Sequence, residues 1–274
     1  MIRLVQISDL HFGREDPDLL GPLREAVQDA APDLVVMAGD FVQRARASQF
    51  RPAAEFMETL GHTWLGVPGN HDIPLYNLFL RAVDPFRRYR RWICEELEPS
   101  VDFGDVKVVG VNTTDPFAHQ RGRIDSSDVQ RVGDVISSRR GRLTVVAAHH
   151  PFHHTADIEK KLMVGASEAL EHWADCGPHI IMSGHLHQWL VEPFVRRKGA
   201  NMTLQLHCGT GLSTRRRGHA NDFAVLDCDA EDVTVTRMVA EDGKFLMSGR
   251  TRYEVGDHGW ERRGAQIERR VAEV

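Results

Sequence analysis

Polar and apolar positions come in alternating blocks along the first two thirds of the chain. Ile2 to Ile7 is an apolar run of strand length, and Asp18 to Ala30 has helical spacing. Leu34 to Ala38 reads as a second strand, Ala47 to Leu60 as a second helix and Trp64 to Val67 as a third strand. Strand, helix, strand, helix, strand at this spacing predicts βαβ units around a parallel core. Leu75 to Leu97 reads as one long helical stretch rich in arginine and aromatic residues. Val101 to Val111 has the pattern of a hairpin turning at Gly104-Asp105. A helix over Asp125 to Ser138, a strand over Leu143 to Ala148, helix from Glu168 to Ala174 and a strand over His179 to Met182 follow. After Gly184 the runs 189–191, 202–206, 223–226 and 233–239 are β-like, with no helices between them. These runs are expected to complete a second sheet, with a homodimer contact as an added possibility. From about Arg250 the chain turns polar and charge-rich. The expectation is a single domain over 1–250 and a loosely held polar tail over 251–274.

Composition narrows the class. The chain has 274 residues and a formal net charge of −5. That balance argues against a general duplex-DNA coat, so no stable nucleic-acid partner is expected. No stretch of 18 apolar residues occurs, so no transmembrane segment is expected, and the first apolar run is too short for a signal-peptide core. The four cysteines are widely spaced without a C-x-x-C pair. They are read as reduced thiols of a cytoplasmic protein. The unusual figure is 15 histidines.

Six of those histidines fall in four of five short segments, each directly after an apolar run: Ser8-Asp9-Leu10-His11, Gly39-Asp40, Gly69-Asn70-His71-Asp72, His149-His150-Pro151 and Gly184-His185-Leu186-His187. Ligands of open α/β sheets bind at the C-terminal ends of strands, so five strand ends can converge on one spot. Two carboxylates, one amide and four or five imidazoles form a metal-ligand set. Seven ligands are too many for one ion and suit two ions with a bridging carboxylate. In D-x-H and H-x-H an extended backbone points both side chains the same way. Gly39, Gly69 and Gly184 each precede a ligand, where a small residue lets the backbone turn. Taken singly, Asp9 and Asp40 could instead be helix N-caps. His149 and His150 are not distinguishable by chemistry.

The order D-x-H, G-D, G-N-H-D, H-x-P, G-H-x-H resembles the calcineurin-like metallophosphoesterases, over Asp9 to His187. The resemblance implies a four-layer α/β/β/α sandwich of two mixed sheets flanked by helices. It implies one ion on Asp9, His11, Asp40 and His187 and another on Asp40, Asn70, His149 and His185, with Asp40 as the bridge. The ions would be divalent manganese, iron or zinc. It places His71 against the substrate, as a proton donor to the leaving group if protonated, with Asp72 orienting it. The implied activity is a hydrolase cleaving a phosphodiester by in-line attack of a metal-bridging hydroxide. The opening Val5 to Gly13 looks like the bacterial branch with cyclic-nucleotide phosphodiesterases, so a small phosphate-ester substrate is expected. Two other readings stand beside it. One is a pyrophosphate hydrolase of the UDP-diacylglucosamine type or a phosphomonoesterase, the former needing an apolar patch such as Phe79, Phe86, Tyr89 and Trp92 for acyl chains. The other is a scaffold without catalysis.

Residues outside the motifs have milder readings. His62, His172 and His207 are expected to be solvated or hydrogen-bonded within the fold. His119, His153, His154 and His219 are candidates for the pocket wall. Arg14 and the Arg215-Arg216-Arg217 cluster are candidates for attracting an anionic substrate, or are solvated surface. Asn112-Thr113-Thr114 could line the site, with a turn the expected role. The Arg87 to Trp92 run is read as an aromatic core face with a charged outer face, although such a pattern can bind nucleic acid or lipid headgroups.

Overall fold

The computed structural model describes residues 1–139, 141–154, 158, 160–194, 203–257 and 259–268. Its first strands are nearly continuous apolar runs because both of their faces are covered. Strands β1 (Ile2–Ile7), β2 (Leu34–Met37) and β3 (Trp64–Gly66) run parallel, linked by helices α1 (Leu20–Ala30) and α2 (Ala47–Thr59). Alternate residues serve different layers, as the two-residue strand period requires. Leu4, Leu34 and Val36 face the second sheet, whereas Val5, Val35 and Met37 face Leu23 and Val27 of α1 and Phe50 and Ala53 of α2.

The second sheet is built the same way. The hairpin of β4 (Ser100–Asp102) and β5 (Val106–Gly110) turns at Gly104, which sits at φ +85°. Strands β6 (Leu143–Ala147) and β7 (His179–Ser183) continue it in parallel, and α5 (Ser126–Ser138) and α6 (Ala166–Trp173) cover its outer face. Val108, Val145 and Ile180 point to the central layer, and Val109, Val146 and Ile181 to the helices. Three apolar layers therefore separate four structural layers, the expected α/β/β/α sandwich.

Between these halves the chain departs from the sequence reading. The 75–97 stretch is two short helices, α3 (Leu78–Val83) and α4 (Arg87–Trp92). Pro85 breaks it: proline lacks the N–H a continuing helix needs and disfavours helical geometry at Asp84.

The strands after residue 188 do not all complete the second sheet. Strands β8 (Leu190–Phe194) and β9 (Thr203–His207) do, giving the order β4-β5-β6-β7-β9-β8. Strands β10 (Asp222–Cys228), β11 (Asp232–Glu241), β12 (Lys244–Gly256) and β13 (Gly259–Glu268) form an antiparallel meander on the first sheet, ordered β13-β12-β11-β10-β1-β2-β3. The expected loose tail is corrected over 251–257 and 259–268, while 258 and 269–274 lie outside the described residues. Its few apolar residues bind it: Tyr253 and Trp260 are buried in the central layer, and the Trp260 indole N–H donates to the His179 carbonyl at 3.1 Å. Among the described residues no helix is long and apolar enough to cross a membrane.

Candidate metal centre

The five motif loops leave the C-terminal ends of β1, β2, β3, β6 and β7 and are stitched together by backbone hydrogen bonds. Asp9 N donates to Gly39 O, His11 N to Asp40 O and Gly184 N to His149 O, all at 3.0–3.1 Å. Asp9, His11, Asp40, His185 and His187 all have φ between +51° and +69°. Non-glycine residues rarely take this left-handed conformation, and such strain persists where surroundings over-determine it. Two of the three motif glycines have another purpose than turning. A Cβ on Gly69 would meet the Asp40 carboxylate and backbone N, and one on Gly184 would meet Ser8 Oγ and Asp9 Oδ2. Close approach, not positive φ, demands glycine at both.

The donor atoms fall into two groups. Asp9 Oδ1 lies 3.2 Å from His187 Nε2 and 3.4 Å from His11 Nε2, and those two nitrogens are 3.2 Å apart. His149 Nε2 lies 3.3 Å from each of Asp40 Oδ2, Asn70 Oδ1 and His185 Nδ1. Asp40 Oδ2 is also 3.8 Å from His11 Nε2, which places it between the groups. Ligands about 2.1 Å from one ion in tetrahedral array stand about 3.4 Å apart, so these spacings fit metal coordination. Asp9 Oδ1 and His11 Nδ1 are buried without a hydrogen bond. An uncompensated buried carboxylate oxygen is costly, and a cation resolves it. The donor set therefore fits metal.

The supporting contacts orient these donors. His149 Nδ1–H donates to Ala38 O at 2.9 Å and His187 Nδ1–H to Arg215 O at 2.8 Å, which turns each Nε2 inward. Asp9 Oδ2 accepts from Ser8 Oγ and from His185 N. Asp40 Oδ1 accepts from His71 N at 2.8 Å, leaving Oδ2 for the centre. Burial alone would raise both aspartates, but the imidazoles around them hold both well below the usual carboxylate range. Burial opposes protonation of His149, yet the Asp40 charge beside it lifts it to about 9.

The structure separates His149 from its neighbour. Thr113 Oγ1 accepts from His150 N and donates to His150 Nδ1, while His150 Nε2–H donates to Gln120 O. Both ring nitrogens of His150 are thus engaged, and burial beside His149 pushes it down to about 3.

Asp72 does not orient His71. Its carboxyl accepts from Val42 N at 3.0 Å and Gly69 N at 2.8 Å, tying the loops after β2 and β3 together. Burial and the nearby Asp40 raise it to about 8. His71 is instead held by its Nδ1–H donating to Gln43 O at 2.8 Å. Arg44 reaches Nδ1 at 3.1 Å and Arg215 reaches Nε2 at 3.3 Å. Burial, with His11 and Arg215 nearby, brings His71 down to about 4 despite Asp40.

His71 opens onto a cleft of about 260 Å³ whose wall includes Arg44, Asn70, Tyr76, His119 and Arg215. His119 and Arg215 lie where the sequence reading allowed. His153 is not part of that wall, and its backbone is tied to Gln205 and His207 of β9. Arg14 is exposed outside the cleft wall. Three contributors were missed. Gln43 and Arg44 follow Asp40 by three and four residues, and their signal was only that proximity. Lys160 Nζ lies 3.2 Å from His185 Nε2, and nothing local in the sequence marks it.

Residues 2–189 match the calcineurin-like phosphoesterase family. The chain belongs to that family. Its members are metal-dependent phosphoester hydrolases with dinuclear metal centres, and the His/Asp clusters of this chain fit such a centre. The fold is similar to a dimetal phosphatase from Danio rerio, at a TM-score of 0.64 and 12% identity, covering 90% of this chain and 98% of that one. It is also similar to purple acid phosphatase PPD1 of yellow lupin, at a TM-score of 0.65 and 14% identity over 90% of this chain and 52% of that one. Identities this low speak for the fold alone. Among curated proteins, UDP-2,3-diacylglucosamine pyrophosphatase LpxG of Chlamydia trachomatis is 38% identical over 79 residues, 27% of this chain and 24% of that protein. Glycerophosphodiester phosphodiesterase GpdQ of Enterobacter lignolyticus is 26% identical over 164 residues, 54% of this chain and 56% of that protein. The matches thus span a quarter to just over half of these relatives' length.

Proposed function

We propose that the chain hydrolyses phosphoric diesters, holding one divalent ion on Asp9, His11, Asp40 and His187 and a second on Asp40, Asn70, His149 and His185. The observation that carries this reading is the meeting of two donor groups at Asp40 Oδ2, 3.3 Å from His149 Nε2 and 3.8 Å from His11 Nε2. Manganese, iron and zinc all suit imidazole–carboxylate donors. Such ions, when bound, supply a hydroxide nucleophile near neutral pH and offset charge on the phosphoryl oxygens.

The chain's own groups do the rest. Ala38 O and Arg215 O fix the tautomers of His149 and His187. Arg44 and Arg215 present positive charge to the phosphate on either side of His71. His71, anchored through Nδ1–H, aims Nε2 at the cleft, where the leaving-group oxygen departs. It is neutral in the free protein, so it gives a proton to that oxygen only after gaining one as the phosphate anion enters. A small diester such as a cyclic nucleotide fits a cleft of this size, and the GpdQ match supports diester chemistry. One observation favours a second reading, a diphosphate diester: two arginines flank His71, enough positive charge for two phosphates. The LpxG match supports that reading over its 79 residues.

The test is a panel of bis(4-nitrophenyl) phosphate, 4-nitrophenyl phosphate, cyclic AMP and a UDP-sugar diphosphate on manganese-loaded protein. Diesters or the diphosphate should exceed the monoester in kcat/KM by about tenfold or more. A monoester preference would overturn the proposal.

A further inference from the structure

Helix α3 is inside out. Its charged residue, Arg81, is only 8% exposed, while Leu78, Phe79 and Val83 are 72%, 78% and 67% exposed. Leu78, Phe79, Ala82 and Val83 occupy one side of the helix by their spacing, and all four are exposed. A surface helix ordinarily buries its apolar stripe and exposes its charges. Here the guanidinium is spent internally: it donates to Pro74 O at 2.9 Å and to Pro116 O and Ala118 O at 2.5 Å each. These bonds lock α3 to the loop carrying Phe117, which is 85% exposed. Tyr76, 76% exposed, continues the apolar surface into the cleft, whose wall it shares with His71, Arg44 and Arg215. Among the described residues, no carboxylate lines that cleft.

A rigid apolar shelf thus runs directly into a cationic cleft. Large exposed apolar groups gathered in one place mark a binding surface. We infer that the shelf receives the hydrocarbon chain of the substrate itself, so that this enzyme acts on an amphiphilic phosphoester, a lipid. Continuity decides the occupant: Tyr76 belongs to both surfaces, so whatever lies on the shelf is attached to the anion in the cleft. The inference rests on the hydrolase reading for its phosphoester head, and the shelf for its tail. It also replaces the patch expected from sequence, since Phe86 and Tyr89 are buried and only Phe79 of that set is well exposed.

The experiment separates the two. Calorimetry compares binding of the methyl and dodecyl carboxylic esters of phosphonoacetic acid, which contain no P–O–C bond to cleave, to manganese-loaded protein below the micelle concentration. Burying several methylenes should tighten the dodecyl ester by about tenfold or more. In the double variant L78E/F79E, checked for folding by its melting temperature, the ratio should fall to about one. Equal binding of the two esters by the wild type would overturn the inference. So would sedimentation showing a dimer that L78E/F79E dissociates, because a second copy would then cover the shelf. Turnover of methyl 4-nitrophenyl phosphate by the same preparation reports on the hydrolase reading separately. A wild type that prefers the dodecyl ester yet turns nothing over keeps the shelf and loses the chemistry.

Discussion

Each side chain at the centre is defined by what its second polar atom touches. Asp9 gives Oδ2 to Ser8 and His185 N and keeps Oδ1 bare, while Asp40 gives Oδ1 to His71 N and keeps Oδ2. Asp40→Ala should therefore remove both ions and lower kcat/KM by about a thousandfold or more, as loss of metal catalysis implies. Elemental analysis showing an unchanged metal-to-protein ratio would sink the shared-ligand role. Gly184→Ala should act on the same ions from a distance, because its methyl group displaces Ser8 and Asp9. The expected result is lower metal content, and full occupancy would contradict it. His71→Ala should cost about 10²–10⁴ in rate on esters with poor leaving groups and less on 4-nitrophenyl esters. Equal losses would mean that His71 only binds. The motif residues themselves were legible in the sequence. The motif resemblance put His149 rather than His150 on the second ion, but the chemistry of the two residues did not separate them, and what engages the His150 ring, Thr113 and Gln120, is remote in the chain.

At the level of elements, legibility followed apolar density. The strands buried on both faces stood out as unbroken runs. The meander of β12 and β13 did not, because its polar residues alternate with few apolar ones and, among the described residues, Tyr253 and Trp260 are its buried contributions to the central layer, with Val255 packed partly buried against it. Trp260→Ala should thus destabilise the protein by about 3–5 kcal/mol through cavity formation and loss of the bond to His179 O. Urea denaturation with a shift below about 1 kcal/mol would show β13 to be dispensable. The break between α3 and α4 was readable in Pro85, but the periodicity on either side outweighed it. The inverted polarity of α3 had no local signature, since Arg81 is buried only because three carbonyls from two loops meet it.

For the whole molecule, stability should depend on acid and on metal. His179 and His207 are fully buried and burial brings each down to about 4. The unfolded chain takes up these protons near pH 6.5 and the folded chain does not until about pH 4. Their contribution is complete above pH 6.5, falls away as the pH drops towards 4, and amounts to about 3 kcal/mol each. The melting temperature of His179→Gln should decline less steeply across that window than the wild type's, and parallel curves would refute the assignment. Chelation should lower the melting temperature at neutral pH, because an ion at a thousandfold excess over its Kd stabilises by about 4 kcal/mol. An unchanged melting curve after metal removal would argue that no ion is held.

The sequence by itself determined the layers, the family and the short motifs that carry the candidate metal donors, because burial on two faces and short motifs at strand ends are local properties of the chain. Tertiary structure alone decided which oxygen of each aspartate is bare, what engages both ring nitrogens of His150, what Asp72 supports and which helix shows its apolar side. Each of those depends on a partner brought near by folding, and pairwise contacts between distant segments leave no trace in local pattern.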